Sequence, residues 1–190
     1  MEEIFADLHV HIGRSKNGKP IKITAARSLN FENIAKECAE RKGINVVGII
    51  DCASPYVIED IEEFLKTGDA YEIEDGGIIY KDKVCILLGS EVETSEVSRN
   101  GKCGAAHNVC FFPHLSDIKA FSEEMSHHIK NITLSTQRSD ISGYELIDIV
   151  EKYNGILIPA HCFTPFKSYY GNCVDRMKNI FKEKFDKIFA

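Results

Sequence analysis

Two histidines separated by one residue follow the first apolar segment of the chain. They lie in the stretch Asp7-Leu8-His9-Val10-His11. In a β-strand, residues two apart point to the same side, roughly 6.5–7 Å from each other, so both imidazoles can face one ion. Imidazole suits zinc, iron or manganese. The pair therefore indicates a metal site, with polar surface at a strand end as the alternative.

Three further apolar segments end at, or just before, a residue that can bind a metal. Asp51, Glu91 and His161 each occupy such a position. Ligands that recur at successive strand ends are typical of a βα barrel that holds its active site at the C-terminal face. The pattern predicts a metal-dependent hydrolase, or a part of one.

Strands and helices are predicted to alternate along the chain. The predicted strands are Ile4–Leu8, Ile44–Ile50, Val84–Leu88, Asn108–Phe112 and Ile156–Ala160, the helices cover 30–42, 55–66, 116–128, 142–153 and 173–185, and a hairpin covers 71–80. This order favours a parallel α/β barrel or a doubly wound sheet, and the ligands at strand ends favour the barrel. Residues 185–190 resemble the start of another strand. A complete eight-stranded barrel needs about 250 residues, so an incomplete barrel is expected.

Composition narrows the class of protein. The 190 residues are 44% hydrophobic, which predicts one domain with a real core. The net charge of −6 gives no global signature of a nucleic-acid binder, although a metal cluster with a few basic side chains can still hold phosphate. Neither a signal peptide nor a membrane span is predicted. Seven scattered cysteines without a C-x-x-C pair indicate a reducing, cytoplasmic setting.

Four short motifs resemble successive motifs of the PHP (polymerase and histidinol phosphatase) superfamily. They are D-L-H-V-H at 7–11, I-I-D at 49–51, G-S-E-V-E at 89–93 and I-P-A-H at 158–161. Members of that superfamily are distorted (β/α)7 TIM-like barrels that hold two or three metal ions and hydrolyse phosphoesters. The longer strings at 11–29, 131–138 and 158–171 resemble the endonuclease Q-like branch, which nicks DNA beside deaminated bases and abasic sites.

The resemblance covers residues 1–190 but only the N-terminal part of such a protein. The last PHP motif, which supplies an aspartate and a histidine, and the cysteine-rich zinc module of that branch are not found in this sequence. The expected fold is therefore an incomplete (β/α)7 PHP barrel. An inactive remnant that only binds metal or nucleic acid is one alternative function for it.

The resemblance also implies a ligand set for two or three divalent ions (zinc, manganese or iron). The expected ligands are His9, His11, Asp51, Glu91, His161 and one of His107 and His114. His107 matches a histidine of the branch, whereas His114 lies just past the predicted strand, where barrel ligands usually sit. Glu91 is expected to bridge two ions, and Glu93 to be an ordinary loop carboxylate. Ala53 stands where the branch has histidine, which puts a third metal site in doubt; Cys52 is either a soft ligand or a buried structural thiol.

Basic and aromatic residues in the matched strings suggest contacts with a substrate. Several basic residues could clamp a DNA backbone, or they could be solvated loop residues: Arg14, Lys16, Lys19, Lys22, Arg138 and Lys167. The loop after His161 carries aromatic residues that could stack on an unpaired base or pack at the rim: Phe163, Phe166, Tyr169 and Tyr170.

The function predicted from these residues is metal-dependent hydrolysis of a phosphodiester in DNA. His9, His11, Glu91 and His161 would hold the ions that generate hydroxide near neutral pH, with no covalent enzyme intermediate. A second alternative is a PHP phosphatase that acts on a small phosphomonoester. The sequence leaves the oligomeric state open.

Overall fold

The structure is a computed structural model that describes residues 3–97, 101, 103–174 and 176–189. Within these ranges the strands are β1 (Ala6–Val10), β2 (Val46–Ile49), β3 (Ala70–Glu72), β4 (Ile78–Tyr80), β5 (Val84–Val97), β6 (Cys103–Phe112) and β7 (Ile156–Pro159). The α-helices are α1 (Phe31–Glu37), α2 (Pro55–Leu65), α3 (Leu115–Met125), α4 (Gly143–Lys152) and α5 (Lys178–Phe181). The segment Cys38–Lys42 continues α1 as a π-helical turn.

The strands form one open, mixed sheet. β1, β2 and β5 are parallel neighbours, whereas β6 runs antiparallel to β5 and β7 antiparallel to β6. The short β3–β4 hairpin pairs with the beginning of β5. In the described part of the chain, β1 pairs only with β2, so the sheet does not close.

The mixed sheet corrects the expectation of a parallel one. The strands predicted at 84–88 and 108–112 are longer in the structure, where β5 continues to Val97 and β6 begins at Cys103. The two form a ten-pair antiparallel ladder from Leu88↔Phe112 to Val97↔Cys103. Antiparallel strands can be joined by a short turn, whereas a parallel pair needs a crossover of a dozen or more residues. No helix was predicted between the two strands. Without a crossover helix a parallel pairing is not possible, which agrees with the antiparallel direction of β6.

Several helix ends follow from local sequence. The Asn30 side chain accepts the backbone N–H of Asn33 at the start of α1, and Gly43 ends the following turn with a φ of +62°. Ser142 and Glu145 form a reciprocal capping box at α4. These helices were predicted with boundaries shifted by one to a few residues.

The single helix predicted over 173–185 is wrong. The segment is broken into a π-helical turn (Tyr169–Cys173), α5 and a 3-10 turn (Lys182–Lys187), with Val174 in extended conformation between the first two. The Asn172 side chain donates to the Ala105 carbonyl oxygen, which ties the first turn to β6. Ile188 makes an isolated parallel bridge with Leu157, whereas Ala190, the end of the strand expected there, lies outside the described residues.

The sheet has two apolar faces of different size. Leu88, Cys110 and Phe112 belong to the large core that also contains apolar residues of all five helices. Alternate residues such as Leu87 and Phe111 face the other way, into a small cluster with Ile50, Val109, Ala160 and Ile158. We call this second side the inner face. Because side chains alternate along a strand, Glu91 and Glu93 share the side of Leu87, and His107 shares the side of Phe111.

No helix among the described residues is long and apolar enough to cross a membrane.

Candidate metal centre

Five side chains from separate parts of the sheet converge on the inner face. His9 lies on β1 and His11 directly follows it, Glu91 lies on β5, His107 lies on β6, and His161 follows β7. The strand directions bring them together, because the carboxyl ends of β1, β5 and β7 meet the amino-terminal half of the antiparallel β6.

Glu91 is the centre of this group. Its Oε1 atom lies 3.3 Å from His9 Nε2, 3.2 Å from His107 Nδ1 and 3.6 Å from His161 Nε2. Its Oε2 atom lies 3.5 Å from His11 Nε2. Two groups of possible ligand atoms result, each with all atoms within 4.8 Å of one another. We call His9, His11 and Glu91 the first set, and Glu91, His107 and His161 the second set.

The Glu91 carboxyl is buried, with 4% of the residue exposed. Burial alone would raise its pKa, but hydrogen bonds from His107, His9 and Thr136 outweigh that effect and hold the pKa of Glu91 well below its usual range. The carboxyl is therefore ionised. Its position in both sets would allow it to bridge two cations.

Asp51 fixes the orientation of His11. Its Oδ2 atom lies 3.1 Å from His11 Nδ1 and accepts the backbone N–H of Ile12 at 2.7 Å. A carboxylate accepts, so Nδ1 carries the proton, and the lone pair of Nε2 faces Glu91. Asp51 was predicted as a ligand; in the structure it contacts the His11 nitrogen that does not face Glu91, in the arrangement by which carboxylates orient metal-binding histidines.

Glu93 does the same for His107. Its Oε2 atom lies 3.2 Å from His107 Nε2, so that Nδ1 is the ring nitrogen that faces Glu91 and His161. Burial would raise the pKa of Glu93, but Lys167, Arg138 and His107 together lower it. Glu93 was predicted to be an ordinary loop carboxylate. The signal that could have revealed it is its two-residue spacing from Glu91 within a strand.

His161 completes the second set. Thr164 Oγ1 lies 3.2 Å from His161 Nδ1, so the ring can donate there and present Nε2 to Glu91. Burial and the neighbouring His107 lower the pKa of His161, which favours the neutral imidazole that a metal requires. The contacts Asp51–His11, Glu93–His107 and Thr164–His161 are therefore alike. In each, one ring nitrogen of the histidine can donate to an oxygen outside the two sets, and the other ring nitrogen faces Glu91.

Two loops lie against the first set. Lys22 Nζ is 2.6 Å from His11 Nε2, and Thr136 Oγ1 donates to Glu91 Oε2 at 2.7 Å. The backbone N–H of Ser135 donates to the Ile21 carbonyl oxygen at 3.0 Å and thereby joins the two loops. Lys22 was predicted as a cation that could contact a DNA backbone, whereas Ser135 and Thr136 lie in the matched string at 131–138 without having been predicted as site residues.

Of the two alternative histidines, His107 reaches the centre and His114 does not. His114 precedes α3, and its Nδ1 atom lies 4.0 Å from Glu72 Oε1. The geometric argument for His114 assumed a parallel strand. Because β6 is antiparallel, its carboxyl end lies at the end of the sheet away from the ligands.

The predicted substrate residues separate into two groups. Arg14 donates to the Gly18 carbonyl oxygen within its own loop, and Lys16 lies 3.2 Å from Glu32, so neither contacts the two sets. Arg138 and Lys167 both bind Glu93.

Of the aromatic residues, Phe163 is 83% exposed and stacks on Tyr170 with ring centroids 5.1 Å apart. Tyr169 is instead fully buried and donates to Asn108. Cys52 is also fully buried and donates to the Ile49 carbonyl oxygen, so it packs as a core thiol.

The donor chemistry fits divalent cations. Each set offers two imidazole nitrogens and one carboxylate oxygen, a combination that binds zinc, manganese or iron. A third set of this kind is not present among the residues that the structure describes.

Comparison with known proteins gives relatives of which this chain spans less than half. No family model matches it. It is 44% identical over 186 residues to the uncharacterized protein YqxK of Bacillus subtilis, covering 98% of this chain and 46% of that protein. It is 29% identical over 160 residues to the uncharacterized protein MJ0043 of Methanocaldococcus jannaschii, covering 84% of this chain and 16% of that protein.

Solved structures give the clearest similarity. The lesion-specific endonuclease PfuEndoQ from Pyrococcus furiosus matches with a TM-score of 0.71 and 26% identity, over 94% of this chain and 39% of that one. Endonuclease Q bound to a 27-mer duplex with an abasic lesion at its active site matches with a TM-score of 0.70 and 27% identity, over 93% and 39% respectively. Endonuclease Q is therefore a structural neighbour of this chain, and the resemblance predicted from the motifs is confirmed over part of the length of that enzyme.

Proposed function

We propose that this chain is the metal-binding PHP-type part, residues 1–190, of a nuclease that nicks DNA at deaminated bases or abasic sites. The observation that carries the proposal is the pair of ligand sets sharing Glu91, in a chain whose structural neighbours are endonuclease Q. One of those neighbours was solved with a DNA duplex, which supports DNA as the substrate here.

The two sets would each hold one divalent ion, of zinc, manganese or iron. When bound, such a pair lowers the pKa of a water molecule and stabilises charge that develops on a phosphate. The chain itself orients the ligands: Asp51, Glu93 and Thr164 hold the three histidines His11, His107 and His161, as described above.

Lys22 supplies a positive charge at the first set. Its ammonium group lies beside His11 Nε2, the nitrogen that a cation would take. With a cation bound to that nitrogen, the ammonium group of Lys22 would be free to bind a phosphate oxygen of the substrate.

Phe163 and Tyr170 supply an aromatic surface in the loop that follows His161. Their rings are nearly parallel, with an angle of 8° between them, and Phe163 projects into solvent. Stacking of an unpaired base on an aromatic ring contributes about 1–3 kcal/mol. We propose that the stack contacts the base at or beside the lesion.

The test is a nicking assay on fluorescent duplexes that contain deoxyuridine, deoxyinosine or an abasic site, with Mn²⁺ or Zn²⁺ added. We expect cleavage of these duplexes, little cleavage of an undamaged duplex, and none by His9→Ala/His11→Ala or in a chelator. Turnover of p-nitrophenyl phosphate without nicking would favour the phosphatase alternative. Metal binding with neither activity would favour the remnant that only binds.

A further inference from the structure

Glu93 contacts three cationic or proton-donating side chains while belonging to neither ligand set. It is 3% exposed. Its Oε1 atom accepts from Arg138 Nε at 2.6 Å, and its Oε2 atom accepts from both His107 Nε2 and Lys167 Nζ. One buried carboxylate thus joins His107 of the second set to two basic residues, Arg138 and Lys167.

The loop that carries Arg138 also fixes the backbone of Glu93. The Glu93 N–H donates to the Gln137 carbonyl oxygen at 3.3 Å, and the Ser139 N–H donates to the Glu93 carbonyl oxygen at 2.8 Å. The hydroxyl of Ser139 adds a third contact at 3.1 Å. The carboxylate is therefore held at a defined position between β5 and this loop.

The two basic side chains remain accessible although they are paired. Those of Arg138 and Lys167 are 62% and 53% exposed, whereas the Glu93 side chain is 5% exposed. A phosphate group that approaches from solvent can reach both cations, but it must compete with a carboxylate that already neutralises them. The pairing of Arg138 and Lys167 with Glu93 therefore weakens their contact with DNA phosphate.

We propose that Glu93 is a positioning residue with two opposed effects, resting on the proposed function. It holds His107 with Nδ1 facing Glu91, which favours cation binding in the second set. It also restrains Arg138 and Lys167, which limits how strongly the chain binds DNA phosphate when no metal is present.

Glu93→Gln separates these effects because glutamine keeps the size of the side chain but loses the charge. Outer-sphere carboxylates of metal-binding histidines typically change metal affinity 10- to 100-fold, so we expect Mn²⁺ affinity at one of two sites to fall by about that factor. DNA affinity of the metal-free protein should instead rise. The plot of log affinity against log salt should steepen by about 0.9 for each cation released to a phosphate.

The measurements are calorimetric titration with Mn²⁺ and fluorescence anisotropy of an abasic 27-mer duplex in a chelator at several salt concentrations. Glu96→Gln is the matched control, because Glu96 is a buried carboxylate of the same strand that contacts Thr94 and Gly143 rather than the basic pair. It should leave both quantities unchanged. When combined with Glu93→Gln, Arg138→Gln and Lys167→Gln should reverse the steepening of the salt dependence.

The inference requires that Glu93→Gln lower the metal affinity and raise the DNA affinity of the metal-free protein. A loss of both affinities would overturn it, because it would indicate a general loss of structure. Unchanged metal affinity, or a salt dependence that does not steepen, would overturn it as well. Failure of the proposed function has a different signature. Opposite shifts in a protein that never nicks DNA would reject the nuclease and leave the role of Glu93 intact.

Discussion

Replacement of Glu91 by glutamine should remove both metal ions at once. Glu91 is the residue common to the two sets, so its variant leaves each set with two imidazoles. The amide keeps the shape of the side chain but offers no negative charge. We expect the parent chain to bind two equivalents of metal ion and Glu91→Gln to bind neither ion tightly. A variant that lacks the histidines of only one set should retain one equivalent.

The size of the effect follows from the geometry. A loss of at least a hundredfold in affinity at each site corresponds to about 2.7 kcal/mol per ion. His9→Ala/His11→Ala removes only the first set, and His107→Ala/His161→Ala removes only the second. The expected stoichiometry is therefore about two ions per chain for the parent, about one for each double variant and about zero for Glu91→Gln.

The assay is elemental analysis after removal of metal by a chelator, dialysis against a limiting concentration of Zn²⁺ or Mn²⁺, and protein quantification. Circular dichroism must show that each variant is folded, because a buried group left without a partner costs about 1–3 kcal/mol. Glu96→Gln again serves as the control that should retain two equivalents. Two equivalents in Glu91→Gln, or the loss of just one, would refute a centre bridged by this carboxylate.

Three further results are expected. Lys22→Met should tighten Mn²⁺ binding about tenfold in calorimetry, because the ammonium group no longer competes for His11 Nε2; weaker binding would contradict this role. Burial raises the pKa of Glu96, so its protonation stabilises the fold below the unfolded value of 4.5 and this contribution is lost as the pH rises. Urea denaturation should show Glu96→Gln gaining stability over the parent as the pH increases from 4 to 8, and a constant difference would exclude the linkage. Gly48→Ala should cost about 1–3 kcal/mol in the same assay, because a Cβ atom there would lie 2.7 Å from the Leu8 carbonyl oxygen; an unchanged midpoint would show that the two strands can separate.

The apolar segments of the sequence predicted the positions of the strands. A buried strand is apolar whichever strands it pairs with, so its position can be recognised from its own residues. β2 and the first half of β5 are continuous apolar runs in the sequence and pair as parallel strands in the structure. The direction of β6 has no such local signal, since pairing depends on which strand the chain meets after the turn. His114 was considered as a ligand for that reason, and His107 came from the motif resemblance rather than from geometry.

The candidate site divides in the same way. His9, His11 and Glu91 were found because a ligand at a strand end carries its own pattern of spacing. Lys22 and Thr136 come from loops whose paths over the sheet are determined by tertiary contacts, such as the hydrogen bond between Ser135 and Ile21. A side chain that reaches a centre from a loop leaves little periodicity in the sequence.

The orienting groups connect the fold to the chemistry. Asp51 accepts from His11 through Nδ1, whereas Glu93 accepts from His107 through Nε2, so the two histidines present different nitrogens to the same carboxylate. Strand register sets this difference, because Glu93 lies directly opposite His107 in the β5–β6 ladder. A shift of one of these strands by one residue would turn its own member of the pair, Glu93 or His107, to the large core. The antiparallel pairing that the sequence did not reveal is therefore the feature that places the second set.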